Sequence, residues 1–419
     1  MNIIFFILGW WFLCLFLLGV WKRELFLSTW KEPYFLDTPV LIESDDWGPG
    51  GPHHAERLKK LLECLANHRD SVGREAVLTA DCVLAVPDIP AINESSRSIY
   101  RRKMLDIDFP SIHAVMKEGI KIGTMVPQLH GLEHLNSSAF LRLCHAKDPR
   151  VKDACKDDDW WDWESLDSPL QAHYVDGSCL PTRALPIKDL EMLIKEAVGQ
   201  FERIFGYPSA STVAPCYLWN DDVERIWARN GIAYIQTAGY RCPSRDQEGR
   251  YIQDKKQIRI GDESTAGGQR YLVRNVMYEP ADGKNTPETA LNEAIAARRQ
   301  ALPITISTHR YNYTRSKEGF ILALEGLDLL LSKIEKQFSN IRYISSPELG
   351  QSIEAPHSFI QNPFQNTRYP PIKYMKGPRK IFPYIQRLMH RHPKLLYISI
   401  ASGLIVPIAL LMFLLRNHK

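Results

Sequence analysis

Two adjacent carboxylates, Asp45 and Asp46, stand at the end of an apolar run and just before a glycine-rich turn, in VLIESDDWGPGG (40–51). Carboxylates placed side by side repel, so one of them needs a cation nearby or a raised pKa. A metal ion meets that need: Asp46 can ligate it while Asp45 stays free to take a proton from a water whose acidity the ion has increased. The other reading of DDWGPGG is a turn whose aspartates cap backbone amides. His130 and His134, in QLHGLEHLN, have HxxxH spacing, which puts two imidazoles one helical turn apart where both can point at one ion. With a carboxylate from elsewhere they make a two-His, one-carboxylate set with open positions, suited to Zn²⁺ and also to Co²⁺, Ni²⁺ or Fe²⁺. His309, in ISTHRYNY, ends another apolar run; its other reading is a structural histidine satisfied by its neighbours.

These residues need a scaffold that brings distant strand ends together. Short apolar, β-rich runs recur at 39–44, 76–84, 121–127, 210–215, 232–237, 271–278, 303–308 and 341–346. Helical patterns come between them at 53–68, 187–206, 221–231, 286–300 and 316–338. Asp221 and Thr286 occupy N-cap positions, and Gly206 and Gly231 sit where helices stop. Near-continuous apolar strands alternating with helices predict an α/β fold with a parallel sheet, and about eight strands predict a (β/α) barrel. Asp45, Asp46, His130, His134 and His309 then fall at strand C-termini, the face where barrel enzymes place their chemistry. Residues 145–186 interrupt the pattern with an acidic, aromatic insertion, KDDDWWDWESLD at 156–167, read as a cap over one barrel face. Trp47, Trp160, Trp161, Trp163 and Trp219 are candidates for stacking on a sugar ring, with burial in the core as the alternative. Asp157 to Asp159 read as a solvated edge of that insertion.

The chain of 419 residues is 45% apolar and 24% charged, which permits a large core and excludes disorder. Its formal net charge is only +4, and no basic cluster is interleaved with aromatics in the middle, so no nucleic-acid partner is expected. Both ends differ from the middle. Ile3 to Val20 carries no charge and is long enough to cross the hydrocarbon layer, which predicts a membrane anchor over 1–22. A cleaved signal peptide is the rival, without the usual basic residues before the run or a small-x-small site after Val20. Leu395 to Leu415 is a second uncharged run, expected to form a C-terminal transmembrane helix that tolerates Pro407. Lys22, Arg23 and Lys31 follow the first run, and five cations from Arg379 to Lys394 precede the second, which predicts a cytoplasm-facing middle. Residues 351–394 read as a linker and a basic amphipathic segment, a membrane-surface element or a positive flank. Eight cysteines without CxxC pairs fit a reducing compartment better than a disulfide framework. The sequons at Asn93, Asn136 and Asn312 matter only in a eukaryotic lumen.

The combination of Asp45–Asp46, His130–His134 and His309, in this order over about residues 36–350, resembles the polysaccharide deacetylase family, carbohydrate esterase family four. That resemblance implies a distorted (β/α) barrel of seven or eight strands and removal of acyl groups from N-acylated sugars with a divalent metal. It makes Asp45 the general base, Asp46, His130 and His134 the metal ligands, and His309 the general acid. Two motifs depart from the family. Its third, Arg-x-Pro-Tyr, supplies an arginine that orients the base and a backbone N–H for the oxyanion; in STVAPCYLWN, Val213 stands at the arginine position and Cys216 at the tyrosine, with Tyr217 one residue late. Its fourth has no clean counterpart, and RYLVRNVMYEP offers Arg274 and Glu279 as a substitute pair.

The expectation is therefore a membrane-anchored, metal-dependent hydrolase of an N-acyl group, with an ester as the lesser alternative, on a sugar or polysaccharide precursor: a lipid-linked or nucleotide-linked sugar if the domain faces the cytoplasm, exopolysaccharide if the orientation is inverted. Tyr217, Trp47, Trp219 and Arg310 are the expected oxyanion and substrate contacts. The alternative is a catalytically silent carbohydrate-binding or scaffold protein of a polysaccharide synthesis system, with the lost arginine as the trace of lost chemistry. A glycoside hydrolase using paired acids is a third reading.

Overall fold

The first apolar run forms β1 (Thr38–Trp47), which is buried at every position, as a strand covered on both faces must be. The structure, a computed structural model, describes residues 2–156, 163–283, 285–362, 364–365 and 367–417. Trp160, Trp161 and Asp157–Asp159 therefore lie outside the described residues.

Two helices precede β1, α1 (Asn2–Trp21) and α2 (Arg23–Lys31). After it come α3 (His54–Ala66), β2 (Leu78–Cys82), α4 (Pro110–Ile122), β3 (Met125–Leu129) and α5 (Ser137–His145). The second half runs α6 (Ile187–Phe205), β4 (Ser211–Thr212), α7 (Asp221–Arg229), β5 (Tyr234–Thr237), β6 (Arg270–Val273), β7 (Val276–Met277), α8 (Pro287–Arg299), β8 (Ile304–His309), α9 (Lys317–Gln337) and β9 (Ile341–Tyr343). These nine strands make one sheet of order β6-β5-β4-β3-β2-β1-β8-β7, with β9 paired to β1, and every ladder in it is parallel. The two outermost strands, β6 and β7, are consecutive in the chain. Arg274 N–H donates to Thr237 O of the β5 side and Asn275 N–H to Thr305 O of the β8 side, so one extended segment leaves one end of the sheet and joins the other. The sheet curls into the expected distorted barrel.

The helices cover it with apolar stripes. Leu58, Leu61, Leu62 and Leu65 of α3 meet Ile112 and Met116 of α4 and Leu327, Leu330 and Leu331 of α9 over the outward faces of β1 and β2. Inside, the upper layer of the barrel is polar. Glu43, Asp81, Gln128, Ser211 and Gln236 are all buried. They share bonds with one another and with Ser346, which opens α10 (Ser346–Glu354) beneath them.

Three sequence expectations are corrected. The stretch 121–127 is not a strand throughout: α4 runs to Ile122, Gly123 ends it at φ +90°, and β3 begins at Met125. HGLEH is a bend rather than a helix, because Gly131 takes φ +88°; helix α5 starts after it, capped by Asn136. The cap of α7 is Asn220, not Asp221, and Thr286 caps α8 as expected.

The chain ends are also different from each other. α1 includes Ile3–Trp21, 19 residues long and apolar enough to cross a membrane. The second run does not form the single helix expected over 395–415. It breaks into α12 (Pro393–Ala401) and α13 (Ile405–Asn417), bent by 114°, because Gly403 takes φ +75° and Pro407 lacks the N–H that would carry a helix across the break. The amphipathic helix α11 (Ile381–Arg391) docks on the barrel. Its buried Arg387 bonds Glu32 (2.8 Å) and the carbonyl oxygens of Pro33 and Gln300, and lies over the Tyr34 ring.

Gly48 is the tightest backbone position beside β1. It takes φ +152°, and a Cβ there would stand 2.0 Å from Val83 O. Gly48→Ala is expected to lower the unfolding free energy by at least about 2 kcal/mol, read from denaturant midpoints at unchanged slope.

Candidate active site

A strand normally sends consecutive side chains to opposite faces. At the end of β1 that rule is suspended: Asp46 takes φ +70°, and the pairing with β2 slips between Ser44 and Trp47. Both Asp45 and Asp46 consequently face one cavity of about 280 Å³, together with His130, His134, Tyr217 and His309. A left-handed non-glycine residue costs about 1–3 kcal/mol, and the fold holds it here.

Asp46, His130 and His134 offer ligand atoms that all lie within 4.8 Å of one another, and all three residues are buried. Asp46 Oδ1 stands 3.4 Å from His130 Nε2 and 3.2 Å from His134 Nε2, yet it has no hydrogen-bond partner among the described residues. The three atoms converge on a common point instead of bonding one another. His130 Nδ1–H donates to Val213 O (2.9 Å), which leaves its Nε2 lone pair for that point. Burial lowers the pKa of His134 to about 4, so its ring is neutral. Burial pushes the Asp46 carboxyl up, but His134 and His130 outweigh that and hold it well below its usual range. A carboxylate and two imidazoles with an uncommitted buried oxygen among them are the donor set of a divalent metal site, and these residues fit one.

Asp45 is held differently. Arg274 grips it with Nη1 on Oδ2 (2.7 Å) and Nη2 on Oδ1 (2.6 Å). The same guanidinium bonds Glu43 (2.6 Å), Asp81 (3.0 Å) and the Tyr217 hydroxyl (3.2 Å). Burial raises the Asp45 pKa, and Arg274 outweighs it, leaving the value lowered to about 2. Asp81 moves the other way: burial and the Asp45 charge push its pKa well up, toward the protonated form. The arginine absent from the third motif thus enters from the segment joining β6 to β7, where the substitute pair was expected.

The second member of that pair serves His309. Strand register sets Asp45 beside His309, with His309 Nε2 3.6 Å from Asp45 Oδ2. Its Nδ1–H donates to Glu279 Oε1 at 2.6 Å, and Asn312 holds the other Glu279 oxygen. Desolvation lowers the His309 pKa, but Glu279, Asp45 and Asp46 raise it to about 10, so the ring is cationic at neutral pH.

Several expected contacts fall elsewhere. The Tyr217 N–H is not free for an oxyanion: Cys216 and Tyr217 both have positive φ, the turn tightens, and that N–H donates to Ala214 O (2.9 Å). The Tyr217 hydroxyl lines the cavity instead, and burial pushes its pKa up, so it keeps its proton. Trp47 is fully buried, bonds Ser44 Oγ (2.9 Å) and stacks on Tyr313. Trp219 is fully buried and bonds Glu224 (2.7 Å). Arg310 is buried behind the cavity, bonds Pro49 O (2.8 Å) and lies over Trp163. All three are buried, spend polar atoms on the scaffold and are not among the residues that line the cavity. Sequence reasoning missed Glu164 and Gln171 of the cap and Asp282, Tyr311 and Arg315, which line the cavity; nothing in their spacing marked them. Glu43 and Asp81 had left a signal, as lone acids within apolar strands.

No protein-family model and no curated protein matches the chain. Among solved structures it is similar to a CE4 family pseudoenzyme from Bacillus anthracis (9% identity, 75% of this chain and 66% of that one, TM-score 0.35). It is also similar to the CE4 domain of a multidomain xylanase from the hindgut metagenome of Trinervitermes trinervoides (9%, 80% and 95%, TM-score 0.37). A third is a family 4 carbohydrate esterase from Streptomyces lividans in complex with acetate (10%, 75% and 96%, TM-score 0.35). Likenesses this distant carry nothing about chemistry, which rests on the side chains described above.

Removing the guanidinium strands Glu43 and Asp45 in the barrel. Arg274→Met is expected to destabilise the fold by about 3–5 kcal/mol, measured by chemical denaturation, with part of the loss recovered when Glu43→Gln is added.

Proposed function

We propose that the protein is a membrane-anchored, metal-dependent hydrolase that removes an N-acyl group from a sugar or polysaccharide precursor. The observation that carries this reading is the buried convergence of Asp46, His130 and His134 on one point, with Asp45 and His309 on the adjoining wall. A divalent ion held by those three, Zn²⁺ before Co²⁺, Ni²⁺ or Fe²⁺, supplies Lewis acidity to the acyl carbonyl and makes water a stronger acid.

The chain's own residues then divide the proton work. Asp45 is ionised and fixed by the two-pronged grip of Arg274; each of its oxygens keeps a second lone pair, so it can accept a proton from the attacking water. A carboxylate held to about 2 is a weak base, and it suffices where the water is already acidified. Tyr217 keeps its hydroxyl proton and can donate it in a hydrogen bond to the oxygen on which charge develops. His309 enters the reaction protonated and gives its Nε2 proton to the departing nitrogen, while Glu279 holds Nδ1–H and steadies the cation. The silent-binder reading rested on the missing arginine; the grip of Arg274 on Asp45 supports the hydrolase instead.

The cations flanking the apolar ends favour a cytoplasm-facing domain. On that side a lipid-linked or nucleotide-linked sugar is the substrate in reach, since finished polymer is absent there.

Purified protein is expected to hold one divalent ion per chain by elemental analysis and to release acetate from N-acetylated sugars. Asp45→Asn should keep the ion and lose at least about 10²-fold in release rate; an ion-loaded wild type that frees acetate from no acylated sugar would return the silent binder. His309 acts in its protonated form, so activity falls as pH rises through its pKa. Glu279→Gln withdraws the main cause that raises it, so the basic limb of the rate profile should move to lower pH. A bound cation lowers this pKa in both proteins alike and leaves the direction of the change intact.

A further inference from the structure

Away from the active site, two reactive groups meet at the root of the cap. Cys144 lies in the last turn of α5 and Cys155 eleven residues on, and their Sγ atoms stand 2.6 Å apart, about half an ångström longer than a covalent S–S bond of about 2.05 Å. The surrounding backbone is tied on both sides. Arg97 donates to Cys144 O (3.2 Å), Asn93 donates to Cys155 O (3.3 Å), and Cys155 N–H donates to Val151 O (2.9 Å). The two side chains belong to a small apolar cluster with Phe140, Leu143, Val151, Leu166 and Leu170, separate from the barrel core. Cys64, Cys82, Cys179 and Cys216 reach carboxylate or carbonyl oxygens instead.

We propose that Cys144 and Cys155 form a disulfide site, closed by thiol–disulfide exchange with a low-molecular-weight disulfide or the disulfide of a partner oxidoreductase. Cys155 makes the first attack. It is the more accessible of the two, 9% exposed against 0%, and the hydrogen bond from the Cys144 thiol holds its pKa below the usual value. Its thiolate displaces one thiolate from the external disulfide and is left in a mixed disulfide. The Cys144 sulfur, on losing its proton, attacks the Cys155 sulfur and expels the second external thiolate. Two protein thiols are oxidised by two electrons, the reagent is reduced to two thiols, and the two protons pass to them.

Because both cysteines are already docked in apolar contacts, closure asks for little backbone movement. The bridge would fasten the end of α5 to the strand of chain that leads into the cap, whose later residues Glu164 and Gln171 wall the cavity. Which compartment the domain faces sets how much of its lifetime the bridge is closed.

The test uses full-length protein in detergent, equilibrated with excess glutathione disulfide, denatured in the presence of an alkylating agent, and digested with trypsin without reduction. Cleavage at Lys147, Arg150 and Lys152 puts the two cysteines on separate peptides. These peptides are expected to appear joined, two hydrogen atoms lighter than their sum, and Cys155→Ser should return the Cys144 peptide alkylated. Recovery of both cysteines as alkylated thiols, as separate glutathione adducts, or bridged to Cys179 or Cys216 overturns the proposal.

Discussion

The arginine inside the barrel is the constraint on which the rest of the site depends. Arg274 has five N–H donors, and all five are spent: one on Glu43, two on Asp45, one on Asp81 and one on Tyr217. A guanidinium and a carboxylate buried without each other would each be strongly unfavourable in a dry interior. Here three acids face one guanidinium, and Asp81, whose pKa burial and the Asp45 charge push up, relieves part of the excess negative charge. A lysine could not replace this arrangement, since one ammonium has three donors and no planar fork. The fork also fixes the plane of the Asp45 carboxylate, so the same contact that permits burial aims the base.

Much of this was legible in the sequence, and the limits have physical causes. The strand ends carrying Asp45, Asp46, His130 and His309 were found because buried parallel strands read as apolar runs that stop abruptly at polar residues. The boundaries slipped where glycine intervened: Gly123 and Gly131 take left-handed backbone that no hydrophobic pattern announces. The same is true of the bend at Gly403, since a run of apolar residues does not encode where a helix turns. Aromatic residues misled because tryptophan has one look in sequence for two fates. Trp47 and Trp219 bury both ring and N–H in the scaffold, and only their partners Ser44 and Glu224 reveal it. Arg310 misled likewise, being adjacent to His309 in sequence but turned behind the cavity to hold Pro49.

Glu43, Asp81 and Arg274 had a signal of their own. Each is a single charge within an otherwise apolar β run, and a strand buried on both faces tolerates such a residue only when an opposite charge lies across the barrel. Two acids from β1 and β2 and one cation beyond β6 meet inside the barrel for that reason.

The position of Arg274 in the chain explains why the third motif could lose its arginine. The segment from Arg270 to Met277 pairs first with β5 and then with β8, and Arg274 sits at the crossing, where the barrel closes. A side chain rooted there and directed inward meets the far end of β1, because β1 is the neighbour of β8. Five residues further, the same segment delivers Glu279 to His309. One stretch of chain thus joins the sheet's two ends, orients the base and steadies the acid. A mutation that shifts its register by one residue would undo all three together, since alternate residues face opposite sides of the sheet.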